Sequence, residues 1–166
     1  MEQAAFKKVQ YGGMTISIPE IWDVETDELQ EFDGQTSYSI SITASGNDAR
    51  SIDLSFGPLP EGSNAYAEAW GAYEEVVGEE GLKACSEDDE PILCFDFKGM
   101  LAHGFSLVTE ENLPCFFFCM EIPQQDPSQT NPTQEDQSKL LTVILRAAGN
   151  EELQSLLDFV EKYLCL

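Results

Sequence analysis

Apolar and polar side chains alternate with a period of two in segment after segment of this chain, and that habit restricts it to a fold built on β-sheet. Met14, Ile16 and Ile18 alternate with Thr15 and Ser17 until Pro19 ends the run. Tyr38, Ile40 and Ile42 alternate with Ser37, Ser39, Ser41 and Thr43, and Ile52, Leu54 and Phe56 repeat the pattern. Only a strand places successive side chains on opposite faces, so each segment reads as a half-buried strand. Gly46-Asn47-Asp48 is a turn signal that joins the second and third of them as a hairpin. Leu93, Phe95 and Phe97, then Leu101, His103, Phe105 and Leu107, alternate in the same way. Short spacers at Gly99 and at Glu110-Glu111-Asn112 make these neighbours antiparallel. Cys115 to Met120 is apolar on both faces, which predicts a central strand covered on each side. Leu141, Val143 and Leu145 give a last strand.

Two segments change period. Ser63 or Asn64 can cap a helix whose apolar stripe is Tyr66, Trp70, Tyr73 and Val77, with Gly78 at its C-terminal end. Glu68, Glu74 and Glu75 are expected to face water, and Gly71 to allow close packing. Asn150 is expected to cap a second helix, with Glu151 and Glu152 at its positive end and Leu153, Leu156, Leu157, Val160 and Leu164 as its buried stripe. Hairpin-linked strands, one mid-chain helix and one terminal helix predict an α+β fold, an antiparallel β-sheet layered with helices. The 166 residues fit a single domain, 1–166. Residues 123–138 stand apart: Pro123, Pro127 and Pro132 sit among polar side chains, which predicts a flexible polar loop.

Charge excludes some functions. The chain carries 31 acidic against 8 basic side chains, a formal net charge of −23. Such a surface repels phosphate backbones and anionic lipid, so no nucleic acid and no membrane partner is expected. It favours encounters with a basic protein. Met1 to Gln10 carries Lys7 and Lys8 without an apolar segment after them, unlike a signal peptide. The five cysteines (Cys85, Cys94, Cys115, Cys119 and Cys165) are odd in number and form no CxxC. Reduced thiols and a cytoplasmic location are the expectation, with export by a signal-independent route as the alternative. A monomer or weak homo-oligomer is expected.

The run Tyr11-Gly12-Gly13-Met14-Thr15-Ile16-Ser17-Ile18-Pro19, followed shortly by Trp22, resembles the opening of the PsbP-like proteins, in which a strand ends in Pro and a Trp follows within a few residues. The later order of strands and helices is similar too, so the likeness spans nearly the whole chain. The family includes photosystem extrinsic proteins, a Ran-binding nuclear-import factor and many bacterial proteins. The resemblance implies a PsbP-like αβα sandwich and a tendency to act by binding other proteins. It carries over no catalytic residue. This chain lacks the targeting segment of the photosynthetic members, and a photosystem role is not expected.

Few residues invite chemistry. His103 is the chain's one histidine, on the apolar side of its strand. It reads either as a core or edge residue with a satisfied ring nitrogen, or as a base for Cys94, Cys115 or Cys119 oriented by Asp96. Cys115 and Cys119 share a strand face at a span of roughly 13 Å, too far for a disulfide or a shared metal. Glu87-Asp88-Asp89-Glu90 lacks EF-hand spacing and reads as a solvated acidic loop. No phosphate-cradling glycine loop or nucleophile motif occurs, so no catalytic residue, metal or cofactor is assigned. The densest charge lies after Trp22: Asp23, Glu25, Asp27, Glu28, Glu31 and Asp33, with Phe32 among them. It reads as a solvated loop, or as a surface that docks a basic partner. The leading expectation is a non-enzymatic protein-binding module, chaperone-, adaptor- or immunity-like. The alternative is a small-ligand carrier or enzyme with a pocket around His103 and Asp96.

Overall fold

The computed structural model describes residues 5–30, 36–44, 50–59, 62–75, 83–84, 92–108, 113–122 and 139–165. Among them the chain forms eleven strands and two helices, and every strand pairing is antiparallel. The first two strands, β1 (Phe6–Tyr11) and β2 (Met14–Pro19), make a hairpin around Gly12 and Gly13, with φ of 61° and 93°. Two positive φ values in a two-residue turn match the natural twist of the flanking strands. A side chain on Gly12 would overlap Tyr38. Sequence pattern alone missed β1 because an inward position holds Lys7, whose Nζ donates to the Trp22 carbonyl at 2.8 Å. The chain's end adds β11 (Leu164–Cys165) to β2, so Leu164 is buried in a strand and not in the helical stripe expected for it.

The large sheet holds β3 (Asp23–Gln30), β4 (Thr36–Thr43), β5 (Ser51–Pro58), β6 (Lys83–Ala84), β7 (Leu93–Phe97), β8 (Met100–Val108), β9 (Pro114–Ile122) and β10 (Lys139–Arg146). Its order is β3-β4-β5-β10-β9-β8-β6, with β7 also paired to β8. The expected hairpins are present, and β9 lies between β10 and β8 with Phe118, Cys119 and Met120 all buried.

One face of this sheet carries Ile40, Ile42, Ile52, Leu54, Val143, Leu145 and Phe118 and is covered by β1, β2, β11 and α2 (Asn150–Tyr163). The opposite face carries Phe105, Leu107, Cys115 and Cys119 under α1 (Ala65–Glu74). Helices on both faces of an antiparallel sheet make the α+β layering read from the sequence.

Both helices sit slightly off their expected registers. In α1 the residues seated on the sheet are Ala65 and Ala69, while Tyr66 is 39% exposed and Trp70 and Tyr73 are half-buried. Methyl side chains let the helix backbone approach β8 and β9, and the larger rings splay around that line. Tyr66 stands over His103 and Tyr73 over Phe105. Gly71 is exposed with open space around it, so it serves no close packing. Asn64, of the two residues considered, is the N-cap: its Oδ1 accepts from the Ala67 N–H at 2.8 Å. Ser63 instead donates to Glu68, leaving Glu68 half-buried where it was expected in water. Gly149 occupies the N-cap of α2 without a side-chain bond, and Asn150 is already its first helical residue. Leu156 and Val160 are buried as expected, with Leu153 and Leu157 half-buried. Val77, Gly78, the Gly46-Asn47-Asp48 turn and the 123–138 loop lie outside the described residues. No described helix is long and apolar enough to cross a membrane.

Candidate functional site

The acidic segment after Trp22 is a strand, where sequence suggested a loop. Its propensity for β is poor, and pairing with β4 overrides it: Asp23 lies opposite Thr43, Glu25 opposite Ser41 and Asp27 opposite Ser39. Among the described residues β3 has β4 as its single neighbour, so it forms an edge of the large sheet. Asp23, Glu25, Thr26, Asp27 and Glu28 are exposed. The register sorts them onto two faces. Val24, Thr26 and Glu28 oppose Ile42, Ile40 and Tyr38 on the covered face. Asp23, Glu25 and Asp27 line the other face, about 6.6 Å apart at two residues per step.

That face continues as hydroxyls and one more carboxylate. Ser39, Ser41 and Thr43 of β4 lie beside Ser55, Asp53 and Ser51 of β5. The carboxylates act on their surroundings. The Tyr11 phenol is raised above its ordinary value by desolvation against its neighbours and then by the Glu28 and Asp27 charges.

Trp22, one of the two aromatic residues proposed for this surface, does not join it. Trp22 is only 9% exposed, its ring 5.3 Å from that of Phe159 and capped by the Arg50 guanidinium at 5.8 Å. It is a core side chain, held where the strand leaves the hairpin. Glu31, Phe32 and Asp33 lie outside the described residues.

His103 is brought to a different partner from Asp96. The two-residue turn at Lys98 and Gly99 pairs Phe97 with Met100, and that register places Cys94 opposite His103 and Asp96 opposite Leu101. Cys94 Sγ lies 3.2 Å from His103 Nδ1. The β8–β9 register also sets Cys119 opposite His103, but Cys119 Sγ turns to the Ala65 carbonyl, so Cys94 is the cysteine whose sulfur meets the ring; its register was derivable from the short turn. Tyr66 meets the imidazole edge-on at 5.6 Å. Tyr66, Leu101, His103, Asn64 and Glu121 line a hollow of about 440 Å³. Leu101 is 60% exposed, so the stripe expected to bury His103 is open at this end.

The other two cysteines considered are structural. Cys115 and Cys119 are buried beneath α1, and Cys119 Sγ donates to the Ala65 carbonyl at 3.1 Å. Glu121 Oε1 accepts from the Ala65 N–H at 3.2 Å, so two β9 side chains fasten the helix start. Burial, followed by the Glu68 and Glu121 charges, pushes the Cys119 thiol up to about 12. Among the described residues no three His, Cys, Asp or Glu side chains converge as a metal site would require.

No family model matches the chain, and no curated protein matches it in sequence. In structure it is similar to the solution structure of cyanobacterial PsbP (CyanoP) from Synechocystis sp. PCC 6803. The TM-score is 0.59 at 11% sequence identity, over 99% of this chain and 94% of that one. At that identity the likeness is one of fold. The fold is PsbP-like, as the Tyr11–Pro19 strand and Trp22 implied.

Proposed function

We propose that this chain is a non-enzymatic protein-binding module that takes up a basic, extended segment of a partner along β3. The observation that carries the reading is the row Asp23, Glu25 and Asp27 on one face of an edge strand. An edge presents backbone donors and acceptors that an incoming strand can use. Three carboxylates at alternate positions repel a second copy of the same edge. They attract a strand carrying Lys or Arg at every other residue, because directly opposed cross-strand charges interact. The net charge of −23 speeds the encounter with a cationic partner.

The test uses the full chain and two ten-residue peptides of equal charge, one alternating Lys with Thr and one with its lysines contiguous. Fluorescence anisotropy at low salt is expected to favour the alternating peptide. Changing Asp23, Glu25 and Asp27 together to Asn removes three opposed pairs. At roughly 0.2–1 kcal/mol each, the affinity for the alternating peptide drops about 3- to 150-fold. Equal affinity for the two peptides, or an affinity untouched by the triple change, rules the reading out.

A further inference from the structure

Cys94 and His103 stand outside the acidic edge and outside both cores, and there an exposed thiol meets an imidazole. We propose that they form a thiol–disulfide exchange site that accepts small neutral or cationic disulfides and discriminates against anionic ones.

The geometry argues for it in three steps. The sulfur-to-nitrogen distance of 3.2 Å is short for a bond involving sulfur, and the cross-strand register holds the two residues together without help from a mobile loop. For the thiol to donate, Nδ1 must be the bare nitrogen, so the neutral ring keeps its proton on Nε2. Tyr66 braces the ring from above, while Cys94 is exposed and can be approached.

The exchange itself balances without a further reagent. Cys94 Sγ passes its proton to His103 Nδ1 and attacks one sulfur of the disulfide. The Sγ–S bond forms, the original S–S bond breaks, and the departing thiolate takes the proton back from the imidazolium. Cys94 ends as a mixed disulfide and one small thiol leaves. The reaction is stoichiometric, a reversible modification that coexists with a binding role.

Charge sets the preference. Asp96 follows Cys94 by two residues on the same face of β7, and Glu121 lines the hollow beside His103. Glu68 of α1 adds its charge at Cys119, which lies opposite His103 on β9. Approach of a dianionic disulfide to these carboxylates is opposed, and approach of a dication is helped.

The chain supplies its own control in Cys165, which is exposed and has no histidine to work with, since His103 is the sole one. The experiment treats the reduced full chain, with Cys85→Ser throughout, with cystamine or with oxidised glutathione at neutral pH. Adducts are located by peptide mass against time. Cys94 is expected to react on the order of tenfold faster than Cys165, and His103→Gln to remove most of that advantage, as loss of a general base does. Normalised to free cysteine, Cys94 is expected to prefer cystamine over oxidised glutathione by about tenfold at low salt and to lose most of that preference near 0.5 M salt. Equal rates at Cys94 and Cys165, an unchanged rate in His103→Gln, or a preference indifferent to salt would each overturn the proposal. If His103→Gln does not fold by circular dichroism, the Cys94/Cys165 ratio and the salt response of the unsubstituted chain decide.

Discussion

The two faces of the large sheet are made by the same strands under different rules. Toward α2 and the small sheet, the adjacent strands β4, β5, β10 and β9 contribute large aliphatic or aromatic side chains, and Ile40, Leu54, Val143 and Phe118 are all but sealed. Toward α1 the apolar cover spans β8, β9 and part of β10, and the helix residues seated on it, Ala65 and Ala69, are small. Beyond it, β4 and β5 present Ser39, Ser41, Asp53 and Ser55, half-buried at most, and β3 adds its carboxylates. Stability is thus concentrated on one face, which leaves the other free to carry charge, hydroxyls and an exposed thiol.

The sharpest way to break this comparison lies within one strand. Ile40→Ala, on the covered face, is expected to cost about 2–5 kcal/mol through lost burial and the cavity left behind. Ser41→Val, one residue on and facing the other way, is expected to change stability by roughly 0.5 kcal/mol or less. Urea unfolding of both variants checks the pair. A large loss for Ser41→Val would show that the hydroxyl face is covered after all.

A second test concerns the thiol buried under α1. The unfolded thiol gives up its proton near 9, whereas in the folded chain Cys119 holds it to about 12. Between those values the unfolded state has lost a proton that the folded state keeps, so rising pH favours unfolding. This contribution to stability is complete below about 9 and is lost as pH climbs toward 12. Cys119→Ala is expected to flatten that decline, most cleanly over about pH 8–10, before tyrosines ionise. The same slope in wild type and variant would mean that the outer core admits water to the sulfur. Next in size comes Asn64→Ala, which removes the bond to the Ala67 N–H and is expected to cost about 1 kcal/mol in thermal or urea unfolding. A neutral result would show that Cys119 and Glu121 alone fix the start of α1.

The covered face was legible in the sequence because its strands alternate cleanly, and β9 because both its faces are apolar. The acidic edge was legible as charge and illegible as structure. Val24 is the one apolar residue on the inward positions Val24, Thr26 and Glu28, so the period of two carried no signal. The α1 stripe misled for a different reason. Tyr66, Trp70 and Tyr73 weigh more in any reading of hydrophobic spacing than Ala65 and Ala69, yet the small residues are the ones that let a helix lie close to a sheet. Trp22 sat among carboxylates in sequence and among Phe159 and Arg50 in space, since the chain turns out of the hairpin just there. The Cys94–His103 pair was within reach, because the two-residue turn at Lys98 and Gly99 fixes the register that joins them.

The smallest expected effect probes whether the helix on the sparser face is open on its far side. Gly71 lies inside α1 and is exposed, and a methyl group placed there meets no atom within 4 Å. Its φ is not in the left-handed region, so alanine can adopt the same backbone. Glycine in a helix interior costs entropy that alanine does not, and the unfolded chain loses freedom when the substitution is made. Gly71→Ala is therefore expected to stabilise the protein by about 0.5–1 kcal/mol, read as a higher urea midpoint at unchanged slope. A loss of stability instead would mean that part of the chain packs across the outer side of α1, and the contrast between a sealed face and an open one would have to be withdrawn there.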